Sequence, residues 1–219
     1  MNELFNDKST YIKIDKDPLK DLQNDVKNIL QYLNENNYLY QKYKNNHLTQ
    51  TNTVLARAYG LLKIHKVSNP CRPVISLINS PTYMLAKFLY DDLKKGIKLP
   101  ESHVKNSLEL KNKIKHLVIP DNYILLSLDV SALFTNIPCN LVVNSLDRRV
   151  TEINKNCFIP YSDIVKCTRF LFDNSYFVFN KVIYKQVYGT AMGSPISCLY
   201  ADIVMNDLEQ ECLRILDNH

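Results

Sequence analysis

The sequence predicts an α+β fold with a helix-rich N-terminal region. Three patterns carry that expectation. Apolar residues recur at helical spacing in several stretches. A nearly continuous apolar run, Tyr123 to Val130, reads as a strand buried on both faces. Two alternating segments, separated by Asn180-Lys181, read as a hairpin.

Taken in order, Asp17-Pro18 opens a first helix, with Asp as cap and Pro in the first turn. Leu19, Leu22, Val26, Ile29, Leu30 and Leu33 give that helix an apolar stripe. The Asn-, Tyr- and Lys-rich stretch from Asn34 to Asn46 reads as a linker. From Thr53 to Ile78, apolar and basic residues alternate around Pro70 and Pro73, which predicts short strands joined by a loop. Met84 to Lys95 is helical, with Leu85, Phe88, Leu89 and Leu93 on one side and Gly96 as a stop. After the Tyr123–Val130 strand come helical patterns at Asn140–Glu152 and Ser162–Asp173, then the hairpin Tyr176–Tyr184. Ser194-Pro195 caps a last helix, with Tyr200, Val204, Leu208 and Cys212 on one side. Helices therefore pack on a sheet in the order strand, helix, helix, hairpin, helix.

Composition narrows the function classes. With 46% hydrophobic and 22% charged residues, the chain can fill a core, which excludes wholesale disorder. A formal net charge of +5 suits a polyanionic partner without requiring one. The six cysteines lack the spacing of a zinc knuckle and read as buried small hydrophobes in a reducing compartment. No apolar run approaches the ~18 residues of a membrane span, so a soluble, intracellular protein without a membrane partner is expected, nucleus or cytoplasm left open.

Four segments offer chemistry. In Ile124-Leu-Leu-Ser-Leu-Asp129-Val130, a carboxylate ends an apolar strand, where it needs a partner. A cap for the following turn is one solution. A divalent metal held by Asp129 and the Val130 carbonyl is the other. Five residues on, Phe134 is either a core aromatic beneath a turn or a ring lying across a sugar pocket. Gly189-Thr-Ala-Met192-Gly193-Ser194-Pro195-Ile-Ser197 has two of the four glycines of the chain within five residues, which lets a backbone approach a ligand closely. A helix starting at Ser194 would aim its free N–H groups at that approach. Lastly, Tyr59-Gly-Leu-Leu-Lys63-Ile-His65-Lys66 and Arg72-Pro-Val-Ile-Ser76 form either a solvated basic hairpin or a triphosphate grip, with Arg72 able to bind phosphate bidentately.

In order and spacing these segments resemble the reverse transcriptases of Penelope-like retroelements, over roughly Tyr59 to Glu209. That family carries a G-x-x-K-x-H-K then R-P-[IV]-[IV]-S fingers sequence, a palm motif A reading D-V-x-x-L-F-T-N-I-P, and a motif B reading G-T-x-M-G-S-P-[LI]-S. Asp129 to Pro138 matches motif A and Gly189 to Ser197 matches motif B. The resemblance implies a right-hand polymerase: an N-terminal helical extension over 1–50, a fingers-like region over 51–120 and a partial palm over 121–219. It implies that Asp129 and Val130 bind the first metal, that Phe134 excludes a ribose 2′-OH, and that Lys63 and Arg72 contact the incoming triphosphate. It further implies that Met192 and Gly193 border the nucleotide, and that Lys66, Gly193, Ser194 and Pro195 meet template and primer. RNA template, DNA primer and dNTP are the implied partners, and two Mg2+ (or Mn2+) ions are the implied cofactors of the complete enzyme. Leu62 and Cys198 depart from the family where it commonly has Pro, both tolerable in loop or helix geometry. Met192 stands where many other reverse transcriptases have Gln, which favours the Penelope-like branch.

The carboxylate set is incomplete. Two ions a few ångströms apart need several carboxylates, and the family supplies an Asp pair in a motif C hairpin after the motif B helix. Here the only adjacent pair, Asp91-Asp92, precedes Asp129 and lies in a helical pattern, so it reads as a solvated helix end. Asp202 and Asp207 do not face one another on their helix. Motif C, the thumb and an endonuclease are all missing from the sequence, so little activity is expected from this chain alone. The chain is then a truncated gene, a partial gene model, or one piece of a split enzyme completed by a separate segment. Alternatives are a non-catalytic nucleic-acid-binding remnant, using Lys63, Lys66, Arg72 and the Lys87/Lys94/Lys95 region, or an inert relic with an exposed sheet edge. Lys111-Asn-Lys113-Ile-Lys115 is too sparse for a nuclear signal and reads as a wet helix face.

Overall fold

The computed structural model describes residues 4–40, 43, 52–64, 71–98, 100 and 102–216. After a 3-10 turn at Leu4–Asn6, the elements are β1 (Tyr11–Ile14), α1 (Leu19–Glu35), β2 (Ala56–Leu62), β3 (Cys71–Ser76), α2 (Tyr83–Gly96) and α3 (Ser107–Ile114). A second 3-10 turn at Leu133–Asn136 precedes α4 (Cys139–Asp147), α5 (Val150–Asn156), α6 (Tyr161–Asp173), β4 (Tyr176–Phe179), β5 (Val182–Gln186) and α7 (Ser197–Leu216). The fold is α+β, as the patterning predicts.

One mixed sheet runs β1-β5-β4-β2-β3 and draws strands from all three expected segments of the chain. Only the β2–β4 pair is parallel. The β4–β5 hairpin turns through Asn180 and Lys181, whose φ angles of 48° and 65° are those a two-residue turn of the primed type demands. Across it, Phe177 lies opposite Tyr184 with the rings stacked at 5.5 Å. On one face of the sheet, Phe5, Tyr11, Phe177 and Tyr184 build a small aromatic core. The larger core is helical and joins Leu22, Val26, Leu30 and Leu33 of α1 to Leu85, Phe88, Leu89 and Leu93 of α2. The apolar stripes of both helices are therefore buried as their spacing predicts. The expected cap shifts by one residue: Pro18 holds the N-cap position of α1 without a side-chain cap bond, and Asp17 Oδ1, one residue earlier, accepts the Leu19 N–H at 2.9 Å.

Several expectations need correction. Residues 123–130 form no strand: the segment is fully exposed, with Ile124 at 85% and Leu128 at 87% accessibility. The physical reason is the lack of a neighbouring strand among the described residues to take its backbone groups, so apolar character alone does not make a sheet. The linker reading of Asn34–Asn46 fails where it can be checked, because Leu39 and Tyr43 are buried and Tyr40 packs against the helical core. Residues 41–42 and 44–46 of that stretch lie outside the described residues.

Asp91-Asp92 is no solvated helix end. Asp92 is fully buried and accepts the Tyr40 hydroxyl and the backbone N–H groups of Phe158 (2.9 Å) and Ile159 (3.0 Å). Asp91 takes the Tyr43 hydroxyl at 2.6 Å. This acidic pair ties the chain after α1 to α2 and to the α5–α6 junction, a structural use of charge. The helical pattern at Asn140–Glu152 is two helices, broken at Arg148-Arg149. There Arg149 turns back to donate to the Ser145 carbonyl and pairs with Asp207 of α7 at 2.6 Å. Of the cysteines, only Cys167 is buried, while Cys198 and Cys212 are exposed.

Candidate functional site

The turn at residues 131–137, where the sequence resembles motif A, is built by its own side chains. Ala132 adopts a left-handed conformation (φ 51°), which reverses the chain. Thr135 Oγ1 donates to the Ala132 carbonyl at 2.9 Å, and the Asn136 amide donates to the same carbonyl at 3.3 Å. Ile137 then anchors the turn in the helical core, and Pro138 leads into α4. Phe134 is half-buried and packs against the edge of that core. It is thus partly the core aromatic of the simpler reading, with the rest of its surface open.

The motif B turn lies on the motif A turn. The Thr190 N–H donates to the Phe134 carbonyl at 2.8 Å. Gly189 (φ +74°) presses so closely on Thr135 that a Cβ would sit 2.5 Å from the Thr135 carbonyl oxygen. Further along, the Ile75 N–H of β3 donates to the Met192 carbonyl at 2.7 Å. Gly193 (φ +123°) leaves no space either, since a Cβ would fall 2.4 Å from the Ile75 carbonyl oxygen. β3 is an edge strand, and this turn covers part of its free edge. The two glycines thus serve close approach of protein backbone to protein backbone at the points where the expectation placed a ligand.

Behind the turn, Thr190 Oγ1 and Ser197 Oγ share a hydrogen bond of 2.6 Å. The Ser194-Pro195 helix start is corrected: α7 begins at Ser197, because residues 191–196 are taken up in turns, with Ser194 N–H donating to the Ala191 carbonyl and Ser197 N–H to the Ser194 carbonyl. Only the first half of α7 is buried. Tyr200 is in the core, Val204 is half-buried, and Leu208 and Cys212 of the expected stripe are exposed.

The remaining expected residues distribute unevenly. Arg72 is exposed on β3 opposite Leu61. Lys63 lies just past the end of β2 and is half-buried. Lys66 lies outside the described residues. Met192, Ser194 and Pro195 are half-buried, and Gly193 is exposed. Asp129 and Val130 are exposed, and among the described residues Asp129 makes no hydrogen bond or ion pair. It is therefore neither a turn cap nor the end of a buried strand.

Among the described residues no group of three or more His, Cys, Asp or Glu gathers, so a two-ion site is not assembled by them. A cavity of about 30 Å³ beneath the motif B turn, bordered by Gly189, Thr190, Ser194 and Tyr200, has room for one water. Asp202 on α7 is exposed, yet partial desolvation raises its carboxyl above its ordinary pKa, with His103 pulling the other way. No helix among the described residues is long and apolar enough to cross a membrane.

Sequence patterning does not single out Ile75 or Thr135 as contact points. Their only sequence signal is the four-residue spacing of Gly189 and Gly193, which marks close approach without naming the partner. In comparisons with known proteins, no family model, no curated protein and no solved structure matches the chain.

Proposed function

We propose that this chain is part of an RNA-directed DNA polymerase of the Penelope-like type, bearing fingers and the motif A and B portion of a right-hand palm, and that it does not polymerise alone. The observation that supports this is convergence. A fingers strand at Ile75, a motif A turn at Phe134-Thr135 and a motif B turn at Gly189–Gly193 meet through two backbone hydrogen bonds and two glycine contacts. A capped helix or a basic hairpin accounts for each segment singly, but not for their meeting.

Under this proposal Lys63, just past β2, and Arg72, exposed on β3, reach the triphosphate as cations suited to phosphate oxygens. Phe134 borders the sugar, Met192 and Gly193 border the base pair, and Lys66, Gly193, Ser194 and Pro195 meet RNA template and DNA primer. Asp129, with the Val130 carbonyl, is the contribution of this chain to Mg2+ or Mn2+ binding. One exposed carboxylate does not offset two divalent ions, so the described residues do not by themselves complete a two-ion centre. That shortfall favours one second reading, a nucleic-acid-binding remnant without chemistry.

The test has two parts. On a primed RNA template with dNTP and magnesium, the chain alone is expected to incorporate nothing. Turnover that Asp129→Asn abolishes would overturn the claim of inactivity. Reading the encoding DNA beyond His219 tests the family, with an in-frame aromatic-x-Asp-Asp expected within ~30 codons, the length of a short connection plus a strand. Its absence counts against the polymerase and for the remnant.

A further inference from the structure

The positive charge of this protein is concentrated in one place. Between Lys94 and His116 the sequence holds seven lysines against two glutamates, a net +5, and the whole chain also carries +5. The remaining residues are therefore neutral in sum. All seven lysines are exposed, and α3 within this stretch buries no residue. Three are already engaged: Lys94 and Lys95 lie over the rings of Tyr90 and Tyr40, and Lys113 pairs with Glu109 at 3.6 Å. Lys98, Lys105, Lys111 and Lys115 make no ion pair or side-chain hydrogen bond among the described residues.

The base of this basic arm is fastened to the helix that follows the motif B turn. Ser102 Oγ donates to Glu209 of α7 at 2.6 Å. Lys94, Ile97 and Lys98 face Leu199, Asp202 and Asn206 of α7 across a cavity of about 100 Å³. The charged stretch is thus tied to the helix that follows the motif B turn, without being part of it.

We propose that the arm from Lys94 to His116 is a phosphate-binding surface that holds a nucleic-acid duplex by its backbone. This rests on the nucleic-acid reading above and adds where the duplex is gripped. Lysines are flexible point charges without the fork of Arg, and they suit a ligand whose charge repeats at close intervals more than one carboxylate at a fixed place. A lipid surface fits less well. An interfacial helix needs its apolar residues on one side, whereas Leu108 and Leu110 point to opposite sides of α3, which is only eight residues long.

The test is binding of a labelled RNA–DNA duplex followed by fluorescence anisotropy over a range of salt. The arm variant carries Lys98→Gln, Lys105→Gln, Lys111→Gln and Lys115→Gln. A control of equal net charge carries Lys13→Gln, Lys20→Gln, Lys27→Gln and Lys155→Gln, all exposed and far from the arm in sequence. Circular dichroism checks that both remain folded. The arm variant should bind roughly tenfold or more weakly at ~100 mM salt, and its log–log salt slope should flatten by about 3–4, close to one per lost phosphate contact. The control should stay near the wild type. Equal weakening of both variants, no weakening of the arm variant, absence of wild-type binding, or preference of the wild type for anionic phosphatidylserine vesicles over the duplex each overturns the proposal. Wild-type binding with an unaffected arm variant sinks the arm alone, since the polymerase reading is decided separately by Asp129 and the downstream DNA.

Discussion

The β4–β5 hairpin and the run from Tyr123 to Val130 are both short, apolar and rich in strand-favouring residues, yet only the hairpin forms strands. Phe177 in the hairpin is fully buried between β-neighbours, while Leu126 in the run is 75% exposed. From Ser102 to Ala132 no residue is buried at all, whereas the following 70 or so residues, Leu133 to Ile203, supply much of both cores. The difference lies in pairing. The hairpin brings its own partner strand through a two-residue turn and also pairs with β1 and β2, so its backbone groups are satisfied where its side chains are buried. The run has no such partner among the described residues. Hydrophobicity supplies the drive to bury a strand, but hydrogen-bonded neighbours decide whether the strand exists.

Substitutions can break or sharpen that contrast. The largest loss is expected from Asp92→Ala, which strips a tyrosine hydroxyl, the buried Ile159 N–H and the partly buried Phe158 N–H of their acceptor and should cost about 3 kcal/mol or more in urea unfolding. Paired leucines test the contrast itself. Leu89→Ala in α2 should cost about 2–5 kcal/mol by leaving a cavity, and Leu126→Ala should stay within about 0.5 kcal/mol because its side chain touches little. Equal costs at the two positions would show that the run is packed in solution. Gly189→Ala sits between these, at about 1–3 kcal/mol by melting temperature, since it must adopt a positive φ against the Thr135 backbone.

The smallest effect is confined to alkaline pH. Burial, aided by the Asp7 carboxylate, pushes the Tyr11 hydroxyl up to about 12 from its ordinary 10.0. The unfolded chain therefore ionises first. The stability that Tyr11 contributes is complete below pH 10 and is lost as pH climbs towards 12. Tyr11→Phe should flatten the decline of the urea midpoint over that window and leave its pH dependence near neutrality unchanged.

Much of this architecture is legible in residue order. The stripes of α1 and α2 and the Asn180-Lys181 turn follow from local rules, because a helical face or a left-handed turn residue is set within a few positions. What is not legible depends on distant partners. Asp92 is read as a wet helix end because nothing in the sequence announces Tyr40 or the Phe158 amide as its donors. Tyr40 and Tyr43 are read as linker because the aromatic anchors sit among Asn and Lys. Gly189 and Gly193 announce close approach, but only the fold shows that Thr135 and Ile75 are approached. The same limit governs Asp129, whose proposed metal-binding role would need carboxylates that the described residues do not bring beside it.

The polymerase proposal is tested most directly by adding the downstream coding sequence to this chain and measuring magnesium-dependent dNTP incorporation on a primed RNA template. Incorporation by the extended protein is expected, with Asp129→Asn lowering it by roughly 10³-fold or more, on the scale of losing a principal electrostatic contributor to phosphoryl transfer. Incorporation that persists unchanged in Asp129→Asn would contradict the account.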